Sequence, residues 1–292
     1  MKISFRSMVA LMRPHQRVKN VFVLVHLGFG HLLHDTATVA HVLLAFVAFC
    51  LASSSVYIVN DIFDRGRDRK HPVKRNRPIA SGVVAVPAAT GFAMALALVA
   101  LSIGAFVSMI EVAILAAYLL LSLAYSMRLK HTVIADVFVI SAGFMLRILA
   151  GTLGVGRLPS QWLMICGMMI TLFLGFSKRR AEIGNEARGS PNRDHRAVLD
   201  VYSGELLDSL VSVTAACSIV SYSLYTMSSD TIRNHGTENL IYTVPFVAYG
   251  IFRYMYLTDR EGAGHDTARD LLDRHLVATV IGWLVVVTWV IR

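Results

Sequence analysis

Apolar residues along this chain fall into long runs, separated by short connectors in which Arg, Lys, Asp and Gly concentrate. A run of roughly 20 apolar residues is what an α-helix needs to cross the hydrocarbon of a bilayer. Nine such spans can be drawn, at 20–34, 39–59, 88–107, 110–126, 132–152, 160–177, 209–228, 240–257 and 275–291. The first is interrupted by His26, His31 and His34, and the fifth carries Asp136 and Arg147, so hydropathy marks these two as the weakest. Gly82 and Pro87, the Gly189, Ser190 and Pro191 run, and the Gly262 to Gly264 stretch mark connectors as turns. The pattern predicts an all-α integral membrane protein of about nine transmembrane helices, forming one domain over 1–292. Residues 1–19 set Phe5, Met8, Val9 and Met12 among basic residues, the signature of a helix lying at the interface, and without a small-residue cleavage site they are not expected to act as a removable leader.

Composition strengthens this reading: 55% of the 292 residues are apolar and only 16% charged, with mean hydropathy +0.58, whereas soluble domains carry about a quarter charged residues. The net charge of +9 raises three partner classes, nucleic acid, anionic lipid and phosphorylated substrates. Its placement decides against nucleic acid. With nine spans, 24 of the 28 Lys and Arg fall on one side: the amino terminus and the connectors near 60–87, 127–131, 178–208 and 258–274, counting Arg253 with the last. Such asymmetry orients those connectors, and the amino terminus, towards the cytoplasm in a cytoplasmic membrane. Cys50, Cys166 and Cys217 are far apart in apolar segments and read as packing residues. His31 and His34 have the spacing of a metal pair, but they lie opposite the basic connectors without a third ligand, so metal binding is not expected there.

The informative stretch follows the second span. Asn60 and Asp61 lead into Asp64 and Asp68, and the three carboxylates at i, i+3 and i+7 share one face if the helix continues. Like charges so close make physical sense around a hard cation such as Mg2+ that also binds substrate phosphates. Lys74, Arg75 and Arg77 follow at once, with donor geometries suited to phosphate oxygens. Acid and base in tandem point to a metal diphosphate. The competing reading is a solvated loop whose charges merely fix topology. Tyr125, Arg128 and Lys130 precede Asp136, an intramembrane carboxylate that either meets ligand or pairs with Arg128 or Lys130. Arg147 lines a cavity or pairs with Asp136, though 11 residues, about three turns of one helix, separate the two and disfavour direct contact. Lys178 and Arg179 lie within a helical turn of Glu182, giving either a phosphate site or an ordinary ion pair.

Nine spans with Asn60-Asp61-x-x-Asp64-x-x-x-Asp68 after the second resemble the UbiA superfamily of intramembrane prenyltransferases, over essentially the whole chain. The runs Met12 to Asn20, His71 to Gly82 and Ser177 to Glu182, with Asp273-Arg274, resemble its decaprenyl-phosphate phosphoribosyltransferase branch. The resemblance implies a helical bundle around a central cavity open to the cytoplasmic side. It implies a Mg2+-dependent glycosyltransferase that moves phosphoribose from 5-phosphoribosyl 1-diphosphate (PRPP) to a polyprenyl phosphate, supplying lipid-linked arabinose precursors for cell-envelope glycans. Metal would lie on Asp61, Asp64 and Asp68, with Asn60 orienting a carboxylate or a donor hydroxyl. Lys74, Arg75 and Arg77 would take the donor's phosphates, and Lys130, Lys178 and Arg179 the remaining phosphate sites. Lys19, Tyr125, Asp136 and Glu182 complete the expected binding residues. Ordinary members carry a second acidic cluster after span six, where this chain has Lys178 and Arg179, as suits a phosphate arriving without its own metals. The rival expectations are a prenyltransferase with an aromatic acceptor and, from another class, a transporter or lipid scramblase. A homo-oligomer is left open.

Overall fold

A computed structural model of the chain describes residues 5–25, 27, 35–187, 198–199, 201–260 and 273–291. Among these residues the secondary structure is helical throughout. After α1 (Phe5–Leu11) comes a 3-10 helix over Pro14–Leu24, then α2 (Thr36–Asp68), α3 (Val86–Val107), α4 (Met109–Met127) and α5 (Ala135–Ala150). The chain continues through α6 (Gln161–Ala187), α7 (Gly204–Met227), α8 (Ser229–His235), α9 (Val244–Arg260) and α10 (Arg274–Ile291). Among the described residues, eight helical stretches are long and apolar enough to cross a membrane, matching the second to ninth expected spans. The first expected span falls partly on the 3-10 helix and partly outside the described residues. His31 and His34 also lie outside them, as do the Gly189 to Pro191 and Gly262 to Gly264 runs.

Two compact units divide the chain, 1–159 and 160–292. In the first, α2 is the organising element. Its 33 residues extend about 50 Å, well beyond the roughly 30 Å of hydrocarbon. The surplus length lets one continuous helix carry both an apolar middle and an acidic end. Asp35 caps its start, accepting from the backbone N–H groups of Ala37 and Thr38 at 3.2 and 3.3 Å. Those hydrogen bonds, with that of the Thr38 hydroxyl foremost, hold the Asp35 carboxyl below its ordinary pKa. Small residues bring neighbours close, as expected where lipid supplies no hydrophobic drive between helices. Ala45, Ala48 and Ala52 of α2 are buried with Ala100 of α3, Leu115 of α4 and Ala150 at the end of α5. Ser55 donates to the Ala93 carbonyl at 2.8 Å, tying α2 to α3 through a backbone acceptor.

Pro87 opens α3, where a missing N–H costs nothing. The α3–α4 turn is pinned by Ser108, which accepts from the Glu111 N–H at 3.0 Å and donates to the Gly154 carbonyl at 2.6 Å. Outward-facing Leu98, Phe106 and Leu120 are exposed, as lipid-facing residues are. In the second unit α6 packs against α7, and α9 against α10. Its polar tie is a chain in which Trp283 Nε1 donates to the Tyr222 hydroxyl at 2.8 Å and that hydroxyl meets Thr243 Oγ1 at 2.8 Å. Asp273 caps α10, accepting from the N–H groups of His275 and Leu276. The Arg253 hydrogen bonds above all hold its pKa down at about 2.

Candidate functional site

The helix does continue past Asn60, so Asp61, Asp64 and Asp68 share the acidic end of α2 as their spacing predicts. Their side chains then divide. Asp61 and Asp68 are nearly fully buried and reach a single nitrogen, Arg77 Nη1, at 3.0 and 2.8 Å. Arg13 also pairs with Asp61, and its guanidinium lies 5.5 Å from the Tyr57 ring centroid. Asp64 instead accepts from Lys130 Nζ at 2.7 Å and from Asn60 Nδ2 at 3.0 Å, and pairs with Arg67. Ser126 Oγ stands 3.5 Å from Asn60 Oδ1. The expected convergence of all three carboxylates is therefore replaced by a pair and a neighbour. Among the described residues no three His, Cys, Asp or Glu side chains are grouped to hold a metal ion.

The donor set nonetheless fits a hard divalent cation. Arg77 Nη1 marks a position where oxygens of two carboxylates from one helix meet one positive centre. Oxygen-only ligands of this kind, completed by water and substrate phosphate, suit Mg2+.

Local sequence explains how the cations arrive. A short 3-10 turn at Lys74–Asn76 follows α2, and Arg77 leaves it in extended backbone that turns the guanidinium back to the helix end. Arg69 donates to the Ala80 carbonyl at 3.0 Å and closes that loop. Lys130 sits on a second 3-10 turn, Leu129–His131, between α4 and α5. Burial first, then Arg67 and Lys130, hold the His131 imidazole below its ordinary pKa. The connector enters α5 through Ile134, with φ 67° and ψ −49°, where the Ala135 N–H reaches the Val133 carbonyl at 2.7 Å. A β-branched residue rarely adopts positive φ, and the strain sits just before Asp136.

The other expected residues are placed as follows. Lys74 is half-buried, Arg75 and Lys19 are exposed, and Tyr125 is half-buried on the last turn of α4. Asp136 is fully buried in the first turn of α5. Its pairing with Lys130 is not adopted, because Lys130 spans to Asp64. Nor does Arg147 pair with Asp136. Its guanidinium turns instead to Asn20 Oδ1 at 2.8 Å, the Gly143 carbonyl at 2.7 Å and the Tyr118 hydroxyl at 3.0 Å.

Arg13 and Arg67 are the cations that sequence reasoning did not single out. Arg13 lies 48 residues from Asp61, and only its place in the Met12 to Asn20 run signalled it.

In the second unit Arg179 Nη1 donates to Glu182 at 2.7 Å, with both side chains almost entirely buried. Lys178 beside it is half-buried. The next residue, Arg180, forms a two-pronged bond with Asp208 at 2.6 and 3.2 Å. That pair borders a cavity of about 390 Å³ whose wall includes Ser177, Ser212, Tyr256 and Asp259.

Known proteins resemble this chain over most of its length. The model of the UbiA prenyltransferase family matches residues 22–277, so it runs through both units. A Corynebacterium glutamicum protein named decaprenyl-phosphate phosphoribosyltransferase is 35% identical over 289 residues, covering 95% of this chain and 84% of that one. Its namesake in Mycobacterium tuberculosis is 32% identical over 288 residues, covering 96% and 93%. Among solved structures, a UbiA homologue from Archaeoglobus fulgidus bound to DMAPP and Mg2+ has a TM-score of 0.73 at 14% identity, covering 97% of each chain.

Proposed function

The chain belongs to the UbiA prenyltransferase family, and from that premise we propose that it transfers 5-phosphoribose from PRPP to a polyprenyl phosphate, releasing diphosphate. The observation that carries the reading is the interleaving of Asp61, Asp64 and Asp68 with Arg13, Arg77 and Lys130 at one helix end. An acidic face alone would suit a metal, and a basic face alone a phosphate. Together they suit a metal diphosphate, and the names of the C. glutamicum and M. tuberculosis relatives support a phosphoribosyl donor. The site is assigned to the cytoplasmic side because the basic connectors gather there. We treat 1–292 as one membrane domain, a reading supported by the family match through both units.

In the proposed reaction an oxygen of the acceptor phosphate forms a bond to C1 of the phosphoribose, and the bond from C1 to the diphosphate oxygen breaks. The acceptor is already anionic at neutral pH, so no general base is needed. Positioning and electrostatics carry most of the rate. Asp61 and Asp68, with Asp64 beside them, are the residues that would hold Mg2+. When bound, that ion neutralises charge growing on the departing diphosphate. Arg77, Arg13 and Lys130 each hold a carboxylate and have phosphate-binding chemistry, so they can exchange an Asp oxygen for a donor oxygen. Lys74 and Arg75 extend the basic wall for the donor's phosphates, Asn60 fixes the Asp64 carboxylate, and Lys19, Tyr125 and Asp136 complete the binding set. We assign Lys178 to the lipid phosphate, with Arg179, held by Glu182, supporting that stretch.

The test is purified protein with labelled PRPP and a series of polyprenyl phosphates. Mg2+-dependent formation of a polyprenyl-phosphoryl 5-phosphoribose is expected. Transfer of a prenyl group to an aromatic acid, with PRPP ignored, sinks the assignment.

A further inference from the structure

The 3-10 helix Pro14–Leu24 is the least self-sufficient element of the first unit. It runs for 11 residues, whereas such helices rarely exceed three or four because their hydrogen bonds are poorly aligned. It starts from Arg13 in the left-handed region, at φ 47° and ψ 63°, a conformation L-residues avoid unless their surroundings impose it. Yet Arg13 delivers a cation to Asp61. Something must fix the segment.

Asn20 and Arg147 supply the fixture. Asn20 is fully buried, and its amide donates to Ser53 Oγ at 3.1 Å and to Cys50 Sγ at 3.3 Å, both on α2. Its carbonyl oxygen accepts from Arg147 Nε at 2.8 Å, from α5. The Arg147 guanidinium is itself locked by Gly143 and Tyr118, and lies within 5.5 Å of the ring centroids of Phe49, Tyr118 and Phe144. Asn20, Gly143 and Tyr118 are all neutral partners. A charge kept in such a place is a poor stability device, since an apolar side chain of similar size avoids the desolvation penalty. Its geometric service is specific: a rigid planar fork that holds one amide of an otherwise weak helix.

We propose that Arg147 is a positioning residue for the transfer reaction, acting through Asn20 to hold the 3-10 helix so that Arg13 meets the acidic end of α2. The inference rests on the functional reading above for the identity of the donor, and on the structure alone for the chain from Arg147 to Asn20 to the segment.

The experiment joins a structural readout to a binding cycle. Hydrogen exchange of the amides in 14–24 is compared between the natural protein, Arg147→Met and Asn20→Ala, the second variant leaving the guanidinium two of its partners. Exchange should quicken at least tenfold in that segment and little elsewhere. PRPP affinity, measured by calorimetry in Mg2+, should fall about tenfold in Arg13→Ala and several-fold in Asn20→Ala. The pair Arg13→Ala with Asn20→Ala should lose less than the sum of the two single losses, because Asn20 acts in part through Arg13. Unchanged exchange in 14–24 overturns the inference, as does loosening spread over the whole first unit, or additive losses in the cycle. If Arg13→Ala itself binds PRPP normally while 14–24 loosens as expected, the positioning of the segment stands and the donor assignment fails.

Discussion

Arg77→Ala should move two affinities in opposite directions. In the structure one nitrogen of Arg77 holds Asp61 at 3.0 Å and Asp68 at 2.8 Å, with the side chain about a quarter exposed (27%). A hydrogen bond to a charged group contributes about 1.5 to 3 kcal/mol, and partial exposure places these two near the lower figure. A divalent ion entering between the carboxylates must displace both, so Arg77 opposes it by up to about 3 kcal/mol, or about a hundredfold in affinity. Arg13 stays on Asp61, so the gain on removal should lie between about tenfold and that limit. The donor diphosphate loses a cation and should bind about tenfold more weakly. The assay is titration of the purified protein with Mn2+, followed by the signal of the free ion, and then with diphosphate at saturating metal. If Arg77→Ala binds Mn2+ no more tightly than the natural protein, Arg77 does not stand where the cation goes.

Other expectations are more direct. Asp64→Asn should cut turnover by about a thousandfold or more with normal folding in detergent, since it weakens the grip of Asp64 on Lys130 and removes a hard ligand; near-normal rates at limiting Mg2+ would contradict this. Lys178→Ala should raise the apparent KM for polyprenyl phosphate about tenfold with PRPP binding kept, whereas Arg179→Ala should lower the unfolding midpoint, because it breaks the buried Arg179–Glu182 ion pair. Gly151→Ala should destabilise the first unit, because an added Cβ would lie 1.8 Å from the Val23 carbonyl oxygen, and backbone cannot swing aside; an unchanged midpoint would refute the close approach. Asp273, held at about 2, should contribute stability that is complete above pH ~4 and disappears as pH falls through about 2. The unfolding midpoints of the natural protein and Asp273→Asn should therefore converge in acid, and a gap that persists at pH 2 would count against it.

The sequence by itself determined most of the scaffold. In hydrocarbon each span must satisfy its own backbone hydrogen bonds, so a membrane helix is written as a local run of apolar residues, and eight were legible with their connectors. The acidic face of α2 was legible for the same reason: a spacing of three and seven along one helix is a local fact. What the three carboxylates face was not. Arg13 reaches Asp61 across 48 residues, Lys130 reaches Asp64 across 66, and Arg147 reaches Asn20 across 127. Periodicity carries no information about which helix end stands beside which, so a pairing of Asp136 with Lys130 looked as sound from the sequence as the pairs that form, while Arg147, three turns along the same helix, was already the poorer partner. Tertiary structure decided these partners because a buried charge takes the nearest group able to satisfy it, and nearness at that range is set by packing.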